Sequence, residues 1–369
     1  MYAPAAMSFR LISIEVVPLS VPLLEPFVIA SGRVDATRAA LVRATLADAQ
    51  SGVRVRGLGE AAALPPVTRE DQPELLDAIA AAAARLAGMR LGELDDLTRA
   101  LDASLGHSKV ARAGVESALL DAWARLLRIP LCVLLSGERP RALLTDITLP
   151  IAEPKHSAQL ALGYRARGFQ RFKVKVGKDL DGDVRVLLAV HERVPDAVFR
   201  LDANAGFDAE QALSLVRAAR ARSLHVECFE QPCAAEDWDG MAEVTREAGV
   251  PVVADESVQD LADLATLVER GAGNGVNLKL AKSGGLLAAL ELGRAAQRHG
   301  LRVMCGGMVE TRLGMTAMAH VACALGGVDY VDLDTAFLLA EERFDGGYVA
   351  QGPVLDVGGG AGLGVSERR

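Results

Sequence analysis

Three carboxylates, Asp202, Glu230 and Asp255, recur at intervals of 28 and 25 residues. Each falls at or near the end of a short run of strand-forming residues: VFRLDAN, HVECFEQP and VPVVADES. Three acids without a histidine make a hard-oxygen donor set, which suits Mg²⁺ with positions left for water or substrate. One such acid alone is ordinarily a solvated or salt-bridged loop residue. Three at equivalent points of a repeat point to metal binding. Asn204 and Glu256 are placed to orient those ligands through hydrogen bonds. Lysines occupy the flanking runs, RFKVKVG and NLKLAK. Lys173 and Lys175 are two apart, so they share one face of a strand, and Arg171 continues it. The alternative for that face is a solvated edge strand. Lys279 comes one repeat after Asp255, which on a ring places it opposite Lys175.

This set matches one kind of chemistry. The α-proton of a carboxylate is weakly acidic, and a divalent cation offsets the charge that builds as it leaves. A neutral lysine takes the proton from one face and a second lysine returns one to the other, so configuration inverts. Lys173, as a nearby cation, and burial both favour the neutral form of Lys175. One lysine with an acid would instead suit elimination. Asp332 and Asp334, in DYVDLDT, are a further pair pointing one way, with no basic residue beside them in sequence. They read either as extra metal ligands or a helix N-cap, or as a receptor for a substrate ammonium group. Gly307 and Glu310 in GGMVE are candidates for substrate contact, Glu310 alternatively as polar support for its loop. Gly32 and Arg33 in PLLEPFVIASGRV are candidates as well, since this Pro/Gly/Ser-bearing stretch reads as a loop over a site.

The elements that must position these residues are legible as a rhythm. From residue 142 onward, eight β-rich runs (143–149, 171–177, 198–204, 225–232, 250–257, 275–282, 301–307 and 329–335) alternate with helical spans. A repeat of about 22–30 residues suits one strand plus one helix. An open α/β sheet would show similar runs, but eight of them favour closure into a (β/α)₈ barrel. Before them lie a strand (9–20), a hairpin (38–48 and 53–59, with AQSG as its turn) and three helical segments, the clearest being VARAGVESALLDAWARLLRI, which Pro130 ends. The expected organisation is an α+β capping domain over 1–130, a barrel over 131–335, and a glycine-rich segment over 336–369 returning to the capping domain. GGGAG in that segment is no dinucleotide fingerprint, because no helix or βαβ unit follows it.

Composition sets outer bounds. The 369 residues exceed one typical core and fit a barrel of roughly 250 residues plus a smaller domain. A formal charge of -8 gives no support for nucleic-acid binding. No charge-free stretch is long enough for a membrane span, and no export leader is expected. The five cysteines are scattered, which argues against a disulfide scaffold or zinc module and for a cytoplasmic setting.

Taken together, the motifs resemble the enolase superfamily, in its muconate-lactonizing subgroup, over nearly the full length. The resemblance rests on Lys173-Val174-Lys175, Asp202-Ala203-Asn204, Glu230-Gln231-Pro232, Asp255-Glu256, and Asn277-Leu278-Lys279 followed by Lys282-Ser283-Gly284-Gly285. It implies an enolase-like modified barrel under an N-terminal cap, one Mg²⁺ per subunit on Asp202, Glu230 and Asp255, and Lys175 and Lys279 as opposed bases. It also implies a homo-oligomer, dimer or octamer. Within the subgroup, dipeptide epimerases are similar to this chain in carrying Asp-x-Asp on the last strand, where the pair holds the α-ammonium of the dipeptide. Asp332 and Asp334 match those positions. N-acylamino acid racemases and o-succinylbenzoate synthases share the lysines but have no ammonium to hold; they are the alternative, beside a non-catalytic barrel. The Ala-Glu epimerases have an arginine in the loop over the site. Counting from Pro26-Phe27, this chain has Gly32 there and Arg33 next to it. The resemblance therefore implies 1,1-proton transfer on a dipeptide whose C-terminal residue is apolar or otherwise non-acidic and whose first residue is L-Ala or similarly compact.

Overall fold

The computed structural model describes residues 8–30 and 32–368. Its N-terminal part is a four-stranded antiparallel sheet in which Arg38–Asp48 lies between Phe9–Leu19 and Arg54–Ala63, with the short strand Arg90–Leu91 on the far edge. The helix Lys109–Leu127 packs on this sheet and is buried on all sides from Val110 to Ala124. Small residues make that possible. A Cβ at Gly59 would lie 2.1 Å from the Gly114 carbonyl oxygen, and one at Gly114 would lie 2.6 Å from the Ala61 Cβ. Helix and strand backbones thus meet almost directly, which is one use of the abundant alanine and glycine. The helix ends at Leu127, Arg128 adopts a left-handed φ of 55°, and Pro130 caps the next helix, Leu131–Ser136.

The stretch expected to be a loop over the site is instead an antiparallel hairpin, Pro22–Ile29 with Gly32–Ala36; Ser31 lies outside the described residues. Phe27 and Ile29 give it an apolar face, and both are buried. It is tied to the barrel by the Ile151 N–H donating to the Val28 carbonyl at 2.9 Å and the Ala340 N–H donating to Pro22 at 2.8 Å.

Eight parallel strands follow one another in sequence order around the barrel: Ile147–Leu149, Arg171–Lys175, Val198–Asp202, His225–Glu230, Val252–Ala254, Gly275–Leu278, Arg302–Cys305 and Tyr330–Val331. The Asp146 N–H donates to the Val331 carbonyl at 3.2 Å, which joins the last strand to the first. Three expected strands differ, and in the run 329–335 only Tyr330–Val331 is strand, with a short helix beginning at Thr335. The run 143–149 is split: Ala142–Leu144 pairs antiparallel with Val354–Val357 of the C-terminal segment, and only Ile147–Leu149 enters the barrel. The run 275–282 stops at Leu278, and Leu280–Ser283 forms one helical turn closed by left-handed Gly284.

The C-terminal segment also reaches the cap. Asp121, buried in the long cap helix, accepts from the Leu58 N–H at 2.9 Å and the Leu363 N–H at 2.6 Å, and Arg43 pairs with Glu367 at 2.5 Å. Inside the barrel, charge runs along the axis. Arg171 and Arg200 both pair with Glu227, at 3.2 and 2.6 Å, and Arg200 also pairs with Asp146 at 2.8 Å. Arg171 does continue the face of Lys173 and Lys175, but toward the opposite end of the barrel from the strand-end acids. In this file Arg200 and Asp146 are buried and Arg171 and Glu227 half-buried, and the buried charges persist only because each has a partner of opposite sign.

Candidate active site

Parallel register assembles the site. Asp202 is the last residue of its strand and lies level with Lys175 on one side and Glu230 on the other. Asp255 follows Ala254, the last residue of the fifth strand, and Lys279 follows Leu278, the last of the sixth. Every one of these side chains is buried. Lys175 Nζ donates to Asp202 Oδ2 at 2.6 Å and to Asn204 Oδ1 at 3.0 Å. Asn204 Nδ2 in turn donates to Glu256 Oε1 at 3.1 Å. Lys279 Nζ donates to Asp255 Oδ2 at 2.7 Å. Lys173 Nζ lies 2.7 Å from Asp332, 2.8 Å from Glu230 and 3.0 Å from Asp202.

Burial and pairing set the proton affinities. Burial pushes Asp202 and Asp255 up, but Lys175 and Lys173 hold the first, and Lys279 and Lys282 the second, well below the usual carboxylate range. Glu230 is pushed up to about 7 by burial and by Asp202, and Glu256 to about 7 by burial and by Asp255. Burial would lower Lys173 and Lys279; the carboxylates around them, Asp332 and Asp255 foremost, raise both instead.

The three strand-end acids fit a hard divalent cation. Among the described residues, the buried Glu230 Oε2, Asp255 Oδ1 and Asn277 Oδ1 have no hydrogen-bond partner. Glu230 Oε2 and Asp255 Oδ1 do lie close to the Nζ atoms of Lys173 and Lys282, off the hydrogen-bonding direction. Buried oxygens with unused lone pairs are costly unless a ligand takes them. Among the described residues another acid cluster is tight: Asp146, Asp332 and Asp334 bring oxygens within 4.8 Å of one another.

Asp332 and Asp334 are not without partners, as their sequence neighbours suggested. Lys173 reaches Asp332 from the second strand. Asp334 Oδ2 accepts from the Thr148 backbone N–H at 2.5 Å, and its side chain does not cap the short helix Thr335–Leu338 that it precedes. Asp334 is pushed up to about 6 by burial and by Asp332. Its Oδ1 and that of Asp146 have no hydrogen-bond partner. Such a cluster suits a cationic group that brings its own N–H donors.

One cavity joins these parts. Lys173, Lys175, Lys279, Asn204, Asp332, Asp334, Gly307 and Thr335 line it on the polar side. Gly307 lines the cavity, but three expected contacts, Arg33, Glu310 and Gly32, do not. Arg33 pairs across the hairpin with Val28, on the face opposite Phe27 and Ile29, and its exposed guanidinium bonds Asp35 at 2.8 Å. Glu310 turns back on its own loop, where Oε1 accepts from the Met308 N–H at 2.8 Å. Gly32 is on the inner face of the hairpin, opposite Ile29, without a side chain to offer.

Several further residues shape the site. Lys282 was visible only as part of a motif; it is buried and donates to the carbonyls of Asp255 and Asn277 as well as facing the Asp255 carboxylate. Gln231 ties the fourth strand to the fifth by accepting from the Asp255 and Ser257 N–H groups. A Cβ at Gly306 would lie 2.7 Å from Asn277 Oδ1, so glycine is needed for that close approach.

Glu310 provides a pH test. Burial, and after it Glu60, pushes its carboxyl up to about 8. The folded state therefore holds this proton more tightly than the unfolded chain does. That contribution is full below the ordinary glutamate range and is lost as pH rises through about 8. Glu310→Gln removes the titration and keeps an acceptor for Met308. The stability of the parent chain relative to Glu310→Gln should fall by on the order of 4 kcal/mol between pH 5 and pH 8.5. Calorimetric melts of both proteins across that range check it, and a constant difference would contradict it.

Comparison with known proteins adds to this geometry. Residues 11–136 match the family described as mandelate racemase / muconate lactonizing enzyme, N-terminal domain, and residues 156–368 match the family described as enolase C-terminal domain-like. The L-Ala-D/L-amino acid epimerase of Populus trichocarpa is 40% identical over 345 residues, which cover 91% of this chain and 80% of that protein. The substrate-liganded complex of the L-Ala-D/L-Glu epimerase from Bacillus subtilis superposes with a TM-score of 0.91 at 32% identity, covering 97% of this chain and 99% of that one. The dipeptide epimerase of Enterococcus faecalis, solved with Mg and the dipeptide L-Leu-L-Tyr, superposes with a TM-score of 0.88 at 30% identity, covering 97% and 100%.

Proposed function

The chain belongs to the mandelate racemase/muconate lactonizing enzyme family of the enolase superfamily, and on that premise we propose how it works as a dipeptide epimerase. The enzyme is an isomerase of amino acid derivatives, in a metal-dependent superfamily. The mechanism is carried by two lysines that line one cavity from the ends of the second and sixth of eight barrel strands, with Asp332 and Asp334 lining it too. Mg²⁺, one per subunit on Asp202, Glu230 and Asp255, would offset the negative charge that builds on the substrate carboxylate as the α-proton leaves. Asn204 and Glu256 keep the site in order through their mutual hydrogen bond. Lys175 takes the α-proton of the C-terminal residue from one face, and Lys279 delivers a proton to the other; the reverse reaction exchanges their roles. Lys173 is a fixed cation between Asp332 and the strand-end acids. Asp332 and Asp334 hold the ammonium of the N-terminal residue, whose N–H groups meet the free lone pair of Asp334.

The division of labour follows the chain: cap over 1–130, barrel over 131–335, C-terminal segment over 336–369. Family resemblance supports a homo-oligomer, dimer or octamer. Five free, buried cysteines support a reducing, cytoplasmic setting, and among the described residues no helix is long and apolar enough to cross a membrane.

The test separates dipeptides from N-acylamino acids, which lack the ammonium. Solvent-deuterium incorporation with Mg²⁺ should occur with L,L-dipeptides. Asp334→Asn keeps an acceptor for Thr148 but loses the charge. It should cut kcat/KM on dipeptides by about 10²-fold, mostly through KM. Faster exchange of N-succinyl amino acids, indifferent to Asp334→Asn, would move the protein to the racemase class.

A further inference from the structure

The catalytic side of the cavity is polar, yet the side that the cap contributes carries no charge. Phe27 and Ile29 come from the hairpin, and Leu64 and Val67 from the turn that follows the strand Arg54–Ala63. Met308 and Val309, after the seventh barrel strand, complete the wall. This wall lies beside the base proposed above, since Lys175 Nζ is 5.9 Å from the Phe27 ring centroid.

We infer that the epimerised, C-terminal residue of the dipeptide carries an apolar side chain, aliphatic or aromatic, that seats against this wall; the inference rests on the dipeptide reading above. An acidic side chain entering here would leave water and meet no free cation. Each lysine of the cavity already faces a carboxylate: Lys173 faces Asp332, Lys175 faces Asp202 and Lys279 faces Asp255. Arg33, the nearest arginine in the hairpin sequence, is on the outer face and bonded to Asp35. A lysine or arginine side chain would also be stripped of water, among Phe27, Ile29, Leu64 and Val67, without an acid on that wall. Burying an unpaired charge is far costlier than burying a hydrocarbon.

The wall is also built to keep its shape. The Leu64 N–H donates to Thr68 Oγ1 at 2.8 Å, and that hydroxyl donates to the Glu70 carbonyl at 2.8 Å, which closes the turn on itself. Glu60, on the same strand, accepts from the Thr311 N–H at 3.0 Å, the Thr311 hydroxyl at 2.5 Å and the Gly314 N–H at 3.0 Å. A buried carboxylate at the start of the barrel helix Arg312–Leu325 thus locks the cap strand to the barrel. The hairpin is tied down at Val28 and Pro22. A wall fixed on both sides selects by chemistry rather than by folding around whatever enters.

Deuterium exchange in the holoenzyme, with Mg²⁺, on L-Ala-L-Leu, L-Ala-L-Phe, L-Ala-L-Glu and L-Ala-L-Lys tests this. At least one of the two apolar dipeptides should exceed both charged ones in kcat/KM by about 10²-fold or more. Equal or faster exchange of L-Ala-L-Glu overturns the inference and leaves the epimerase reading intact. No exchange with any of the four, alongside exchange of N-succinyl-L-Phe, overturns both. Gly32→Arg gives a second readout. Gly32 pairs with Ile29 on the inner face, has no left-handed φ, and a Cβ there meets nothing within 4 Å. The variant should raise the L-Ala-L-Glu to L-Ala-L-Leu ratio of kcat/KM by about tenfold or more. An unchanged ratio would overturn the placement of the second side chain under this hairpin.

Discussion

Lys279→Ala is expected to lose epimerisation by about 10³-fold or more while still exchanging the α-proton of one epimer with solvent. Lys175 ends the second of eight barrel strands and Lys279 follows the sixth, and both line the cavity, so each would reach one face of a bound α-carbon. Without Lys279, Lys175 still removes and returns a proton on its own face, and configuration is kept. Lys175→Ala should show the mirror result, exchange of the other epimer only. Both variants should fold, because neither leaves a buried carboxylate alone. Asp255 keeps Lys282, and Asp202 keeps Lys173. Proton NMR of L,L- and L,D-dipeptides in D₂O reads the two faces separately. Loss of the same epimer in both variants would refute the two-base scheme, as would full epimerisation by Lys279→Ala.

Glu230→Gln should weaken Mg²⁺ binding by at least about 10²-fold and cut activity in parallel, with partial recovery at high Mg²⁺. Glu230 suits this experiment better than its two companions. Its carboxyl is already pushed up to about 7 by burial and by Asp202, so a neutral amide resembles a form the site accepts. The amide oxygen can still accept from Asn277 Nδ2, which now lies 2.8 Å from Glu230 Oε1. Asp255→Asn, by contrast, would leave Lys279 and Lys282 buried without their acid, a change that costs about 3–5 kcal/mol. Titration calorimetry with Mg²⁺ alone reports the affinity directly. Unchanged binding by Glu230→Gln would place the metal elsewhere, with Asp146, Asp332 and Asp334 as the next donor set.

The strand-end acids and the lysines were legible because two periods converge on them. The strand period of two fixed which residues share a face, and the βα repeat fixed which residues share a height. The hairpin was not legible, since Pro22, Pro26 and Gly32 in one short stretch carry the composition of a loop. Its pairing decides everything about Arg33. A slip of one residue turns each side chain to the other face, and no sequence signal set the register. The partner of Asp332 was hidden for another reason: Lys173 is 159 residues away and meets it only once the barrel closes. Leu64 and Val67 gave no signal at all, because an apolar residue that lines a site is indistinguishable in sequence from one that fills a core. Where strands were expected to run to residues 282 and 335, the chain turns into short helices just past Lys279 and Asp334. Tight turns at strand ends aim side chains inward, and so they occur where the site is.

The charged file inside the barrel has a consequence for anyone recombining this chain with a relative. The first strand region supplies Asp146, the second Arg171 and Lys173, the third Arg200, the fourth Glu227, and the segment after the eighth Asp332. Within this file no single strand supplies both signs; neutrality belongs to the set. A chimera that imports the third strand alone, from a parent lacking its arginine, would leave Asp146 in the interior without its arginine, while Glu227 would keep only Arg171. Crossovers that keep the first four strands and the eighth from one parent preserve the balance, whereas the fifth through seventh contribute nothing to this file and are the segment that can be exchanged most freely with respect to it.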